Sequence, residues 1–116
     1  KFTIPEGFTL ENGEVLHPSA FLAYETFGTL NSAGDSTILW PTCYGQRSPQ
    51  QRDKIGLGKR FDPSKYFIIT VNLLGNGLSY SPTTEGSGAS YPKLVTYGDN
   101  AALQKLLLRH LGVEKL

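Results

Sequence analysis

The order of segments predicts an α/β fold. Residues 66–71, YFIITV, form a near-continuous apolar run, as expected of a strand covered on both faces in a parallel sheet. Residues 96–112 carry a capped start, leucines at helical spacing and a glycine stop. Shorter apolar runs bounded by Gly and Pro precede both segments, so strands come first and a helix follows. With 116 residues the chain is long enough for one small unit, 1–116, with a modest core.

Taken in order, the segments read as follows. Residues 1–16 alternate weakly, and Glu11-Asn-Gly-Glu14 is a turn signal between two apolar stretches, so the start is hairpin-like. Residues 21–27 alternate and end at Gly28, which predicts a strand; residues 31–35 are a polar loop. Thr37-Ile-Leu-Trp40 predicts a short buried strand stopped by Pro41, with Trp40 in the core. Residues 46–60 are polar, with a short helix near 49–55 that Ser48 caps and Pro49 begins. Asp62-Pro63-Ser64 is a turn before the strand at 66–71. Residues 75–93 form a long Gly/Ser/Thr/Pro loop, a length that often marks function. In the final helix Thr96 is the cap and Asp99 its partner three residues on. Leu103, Leu106, Leu107 and Leu111 form one face, and Gly112 is the stop. Residues 113–116 read as the approach to a further strand.

Composition excludes several function classes. Eleven basic and ten acidic residues leave a net charge of +1 with no basic stripe, so nucleic acid is not an expected partner. No apolar run approaches the roughly 18 residues of a membrane span, and the N-terminus has no apolar signal region. The single cysteine, Cys43, permits no disulfide within the chain and suits a reducing, cytoplasmic setting. Two histidines and no Cys-x-x-Cys argue against a structural zinc site, and no metal is expected. The sequence contains no Met, so residue 1 is not expected to be the translation start.

Residues 75–81, GNGLSYS, pose the main question of chemistry. They match G-x-G, but Tyr80 stands where a dinucleotide motif needs its third glycine, and Pro82 follows instead of a helix. Gly77-Leu-Ser79-Tyr-Ser81 and Gly88-Ala-Ser90-Tyr-Pro92 are near misses to G-x-S-x-G. Neither has the strand-to-helix turn a nucleophile elbow needs. The order Ser79, Asp99, His110 imitates a triad. Asp99 and His110 lie on one helix, about 16 Å apart along its axis at 1.5 Å per residue, and cannot bond to each other. Cys43 lacks an identifiable base and reads as a buried, inert thiol. His17 before Pro18 reads as a turn residue; Asp35, Asp53 and Asp62 read as solvated or turn residues.

Four stretches, in order, carry a resemblance. They are Leu22-Ala-Tyr-Glu-Thr-Phe-Gly-Thr-Leu-Asn31, the run from Ile55-Gly-Leu-Gly58 through Phe61-Asp-Pro-Ser-Lys-Tyr-Phe67, Val71-Asn-Leu-Leu-Gly75, and Thr96-Tyr-Gly-Asp99 with the leucines after it. Together they resemble the homoserine O-acetyltransferase-like branch of the α/β-hydrolase superfamily. The resemblance implies a mostly parallel sheet with flanking helices, and a chain that is the N-terminal part of such a domain. It places the catalytic serine, aspartate and histidine beyond Leu116. In this fold the loop after the third strand supplies an oxyanion-hole amide. Matched to the family, that loop is Pro41-Thr-Cys-Tyr-Gly-Gln46 and the donor position falls on Tyr44. Cys43, Gly45, Gly75, Asn76 and Gly77 are then candidates for the pocket edge. The resemblance also implies a small-molecule acyl donor or ester as partner, acyl-CoA as a candidate co-substrate, no bound cofactor, and a homodimer as a candidate assembly. Departures at residues 41–45 and 75–82, and a short segment before Ile55, put homoserine and acetyl-CoA in doubt. Transfer and hydrolysis both stay open, as does a non-catalytic remnant that binds a partner or has no activity.

Overall fold

A computed structural model describes residues 1–84 and 90–116. Among the described residues five strands form two sheets: β1 (Phe2–Thr3), β2 (Phe21–Leu22), β3 (Tyr24–Phe27), β4 (Thr37–Pro41) and β5 (Phe67–Val71). β1 pairs with β2 antiparallel, and the larger sheet has the order β3-β5-β4. β4 and β5 are parallel while β3 and β5 are antiparallel, so the sheet within these residues is mixed rather than mostly parallel. One helix, α1 (Tyr97–His110), and a 3₁₀ helix, Ser48–Lys54, complete the regular elements among the described residues. No helix among them is long and apolar enough to cross a membrane.

β5 is the centre of the sheet, and all five of its residues are buried. Its side chains alternate between faces. Phe67, Ile69 and Val71 join the main core with Leu22, Tyr80, Leu103 and Leu107, the last two presented by α1. Ile68 and Thr70 face the other way, beside their register partners Ile38 and Trp40 on β4. Trp40 rests on Phe61, with ring centroids 4.5 Å apart.

Several local expectations change in the fold. The stretch 21–27 is two strands, broken at Ala23, because the Ala23 amide donates to Ser79 Oγ and its carbonyl accepts from Asn72. β4 is half-buried, and Trp40 with it, since its outer edge carries no strand among the described residues. Pro41 does not stop β4 but ends it from inside. Thr42 N donates to Val71 O at 2.9 Å, so the ring nitrogen one residue earlier points to the open edge, where no donor is missed. The 49–55 helix is 3₁₀ and its cap is Arg47 rather than Ser48. The Ser48 amide and hydroxyl are already taken by Asn72. Residues 113–116 adopt no regular structure.

The hairpin-like start and the capped helix form as expected. Thr9 and Val15 make an antiparallel bridge, and Leu10 N donates to Glu14 O at 2.8 Å. Asp99 N donates to Thr96 Oγ1 at 3.0 Å, and Thr96 N to Asp99 Oδ2 at 2.9 Å. Asp99 Oδ1 also accepts from Glu11 N at 2.8 Å, which ties the N-terminal turn to the start of α1.

Candidate functional site

Because β4 and β5 run parallel, both leave the sheet at one edge. Ligands of open α/β sheets collect outside the carboxyl ends of such strands. Two loops meet there, residues 42–47 after β4 and 72–81 after β5. With residues 91–95 they enclose a cleft of about 590 Å³. Cys43, Tyr44, Gly45, Gly75 and Asn76 line it; Gly77 does not. Arg47, Tyr91 and Lys93 also line it. The sequence marked only the length of the loop 75–93 that holds Tyr91 and Lys93 and singled out none of the three, because only the fold brings 91–95 against the strand exits.

The loop after β4 is a tight turn closed by Gln46 N donating to Cys43 O at 3.0 Å. Tyr44 stands at its tip, 93% exposed. Among the described residues, neither the Tyr44 nor the Gly45 backbone N–H has a hydrogen-bond partner. Cys43 is exposed, not buried; its thiol donates to Gln46 Oε1 at 3.2 Å. The thiol sits at the rim of the open cleft rather than in the packed core.

The loop after β5 needs its glycines for space and backbone shape. Gly75 has φ +85°, and a Cβ there would stand 2.8 Å from the Tyr91 hydroxyl. Gly77 has φ +91°, and a Cβ would meet the Arg47 guanidinium at 3.1 Å. Burial, and then the neighbouring Tyr80, push the Tyr91 hydroxyl pKa above its ordinary value. The charged residues lining the cleft, Arg47 and Lys93, are both cationic.

Ser79 is fully buried; its hydroxyl donates to Asn72 O at 2.7 Å and accepts from Ala23 N at 2.9 Å. Ser81 Oγ donates to Ser79 O and accepts from Gly77 N. Both hydroxyls hold backbone and do not face a substrate. Ser90 accepts from the Tyr80 hydroxyl through its carbonyl; Gly88 and Ala89 of that near miss lie outside the described residues. Asp99 caps α1, while His110 at the helix's other end packs on Phe2 with ring centroids 5.1 Å apart. No triad is assembled by these residues. His17 is an exposed turn residue bonded to Ser19. Asp35 and Asp53 are exposed; Asp62 is buried rather than solvated and keeps the expected turn role, its carbonyl accepting from Lys65 N at 3.0 Å. It accepts from Gly58 N, Ser64 N and Ser64 Oγ, and these bonds, the one from Gly58 foremost, hold its pKa below the ordinary 3.8. The described residues contain no cluster of three or more His, Cys, Asp or Glu fit for a metal.

The residue missed by sequence reading is Asn72. It is 1% exposed and sits directly after β5. Its Oδ1 accepts from Ser48 N and Asn76 Nδ2, both at 2.9 Å. Its Nδ2 donates to Ala23 O at 2.9 Å and Ser48 Oγ at 3.0 Å. Its sequence signals are its place directly after an apolar strand and within the stretch Val71-Asn-Leu-Leu-Gly75, neither of which assigns it a role.

No family model matches the chain. It is 39% identical over 112 residues to a probable esterase of Corynebacterium glutamicum, covering 92% of this chain and 32% of that protein. It is 40% identical over 111 residues to an ethyl acetate hydrolase of Pseudomonas veronii, covering 92% and 32%. It is 37% identical over 135 residues to a homoserine O-acetyltransferase of Desulfotalea psychrophila, covering 97% and 34%. Among solved structures it resembles the acetyl esterase MekB, with a TM-score of 0.81 and 38% identity over 90% of this chain and 31% of that one. The chain spans about a third of the length of the relatives it matches. The fold is thus a partial α/β-hydrolase fold, and the resemblance read from the four sequence stretches holds.

Proposed function

This chain shares its sequence and fold with the esterases and homoserine O-acetyltransferases of the α/β-hydrolase superfamily, and from that premise we propose that it is the N-terminal part of a serine-dependent enzyme acting on acyl esters. The loop after β4 contributes an oxyanion donor, the Tyr44 backbone N–H. The observation that carries this reading is the pair of amides, Tyr44 and Gly45, without a partner among the described residues, on a turn that lines the cleft. An amide bonded within its own loop cannot serve a developing oxyanion. A free one meets charge that appears only in the transition state, worth roughly 3–4 kcal/mol.

Hydrolysis of a short acyl ester is favoured over transfer from acyl-CoA. The alignment with the acetyltransferase runs over 135 positions, more than the 116 residues of the chain, so that relative carries extra residues within the matched region. The esterase alignments, 112 and 111 positions, fit with little interruption. The nucleophile, its aspartate and its histidine then come from sequence beyond residue 116.

The test is to express the whole reading frame that contains these residues and assay it with 4-nitrophenyl acetate, and separately with acetyl-CoA and homoserine. Ester turnover blocked by a serine-directed fluorophosphonate supports the reading. Absence of both activities in a folded protein overturns it in favour of a non-catalytic binding protein. CoA-dependent transfer without ester turnover overturns the hydrolase assignment alone.

A further inference from the structure

We infer that Asn72 and Asn76 act as a positioning clamp for the oxyanion loop, an inference that rests on the reading of residues 42–47 given above. The loop after β4 has little support of its own: one turn bond from Gln46 N to Cys43 O, and the Gln46 side chain bent back on Cys43. Its ends are anchored by Thr42 N donating to Val71 O of β5 and by Arg47 N donating to Gln50 Oε1 of the 3₁₀ helix, and the remaining anchors come from the loop after β5. Asn76 Nδ2 donates to Gln46 O at 3.1 Å and to Asn72 Oδ1 at 2.9 Å. Arg47 Nε donates back to Asn76 O at 3.2 Å. Thr42 Oγ1 accepts from Leu73 N at 3.2 Å. Both ends of the turn that carries Tyr44 are therefore fastened to residues 73–76.

Asn72 in turn fixes Asn76. Every hydrogen-bonding valence of its buried amide is used, two accepted and two donated, so its orientation is determined. It links the β2–β3 junction, the start of the 3₁₀ helix and the second loop. Asn76 is further held by accepting from Leu78 N at 3.0 Å and Ser79 N at 3.3 Å. A saturated buried network of this kind specifies one geometry. An oxyanion donor needs such support, because a displacement of about 1 Å can cost on the order of 10²-fold in rate.

Asn76→Asp separates positioning from folding. The aspartate keeps an acceptor for the Leu78 and Ser79 amides but presents a carboxylate oxygen to the Gln46 carbonyl where a donor stood. In the full-length enzyme we expect kcat on 4-nitrophenyl acetate to fall roughly 10²-fold. KM should change less than about threefold, and affinity for a trifluoromethyl ketone analogue of the tetrahedral intermediate should fall in parallel with kcat/KM. Should the aspartate variant not fold, Asn76→Ser, too short to reach Gln46, reads the same effect. An unchanged kcat in a folded variant overturns the clamp while leaving the esterase reading intact. So does a loss of kcat matched by equal losses in melting temperature and in substrate affinity. A wild-type enzyme with no ester turnover overturns the esterase reading first, and the clamp with it.

Discussion

Asp99 shows how one side chain can serve two elements. Burial opposes its ionisation, but bonds from the Thr96 amide, the Glu11 amide and the Thr96 hydroxyl outweigh burial and lower its pKa below 3.8. A carboxyl with a depressed folded pKa adds stability above its unfolded pKa, and that stability is lost as pH falls through the folded value. Asp99→Asn is therefore expected to destabilise the protein by about 1 kcal/mol at pH 7. The gap between variant and wild type, measured by denaturant titration, should begin to narrow below about pH 4, the unfolded value, and close only once pH falls below the depressed folded value. The cap itself was legible in the sequence, because a capping box spans three residues. The bond to Glu11 was not, because it joins positions 88 apart. The same distinction covers Ser79. Its spacing from Gly77 suggested a nucleophile, and only its partners 7 and 56 positions away identify it as a brace. Ser79→Ala removes the donor to the buried Asn72 carbonyl and the acceptor of the half-buried Ala23 amide, at a cost of roughly 1–3 kcal/mol seen in thermal or denaturant melts.

Among the elements, β5 was the most legible and the loops were the least. An unbroken apolar run has one low-energy fate in a small α/β unit, burial on both faces, and β5 is buried along its whole length. Ile69, fully buried against the α1 leucines, should cost about 2–5 kcal/mol on truncation to Ala. Leu57 is 79% exposed, and its truncation should cost under about 0.5 kcal/mol in the same melts. β4 has a similar composition but ends half-buried, because exposure of a strand depends on its neighbours. The loop after β5 adds a steric demand. Gly75→Ala combines a strained φ with a clash on Tyr91, and is expected to destabilise the cleft wall by more than about 1 kcal/mol. Loss of the Tyr80–Tyr91 contact in the near-ultraviolet circular dichroism would report it; an unaltered spectrum and melt would contradict it.

The molecule as a whole is flat, 45 × 27 × 19 Å, with a radius of gyration of 14.7 Å against roughly 13 Å for a compact chain of this size. Among the described residues the three-stranded sheet has an open edge at β4, and the cleft at the strand exits is walled by loops. The 116-residue chain expressed alone is accordingly expected to unfold with low cooperativity, and to leave 4-nitrophenyl acetate unhydrolysed with or without Ser79→Ala. A sharp calorimetric transition would contradict the first expectation, and turnover abolished by Ser79→Ala the second.

What the sequence determined by itself is short-range. Residue periodicity places β5 and α1, the Thr96–Asp99 pair starts the helix, turn residues punctuate the first hairpin, and ordered motifs point to the superfamily. These signals act over a few residues, so one chain segment contains both cause and effect. The tertiary structure alone decided the break at Ala23, the exposure of Cys43, the burial of Asp62 and the saturation of Asn72. The break at Ala23 and the saturation of Asn72 depend on which polar groups meet when segments 24 to 56 positions apart pack, whereas the bonds of Asp62 and Cys43 are local and only their burial or exposure is set by the rest of the fold. A buried amide is stable only when all its partners arrive together, and that condition is written across the fold rather than in any one stretch of it.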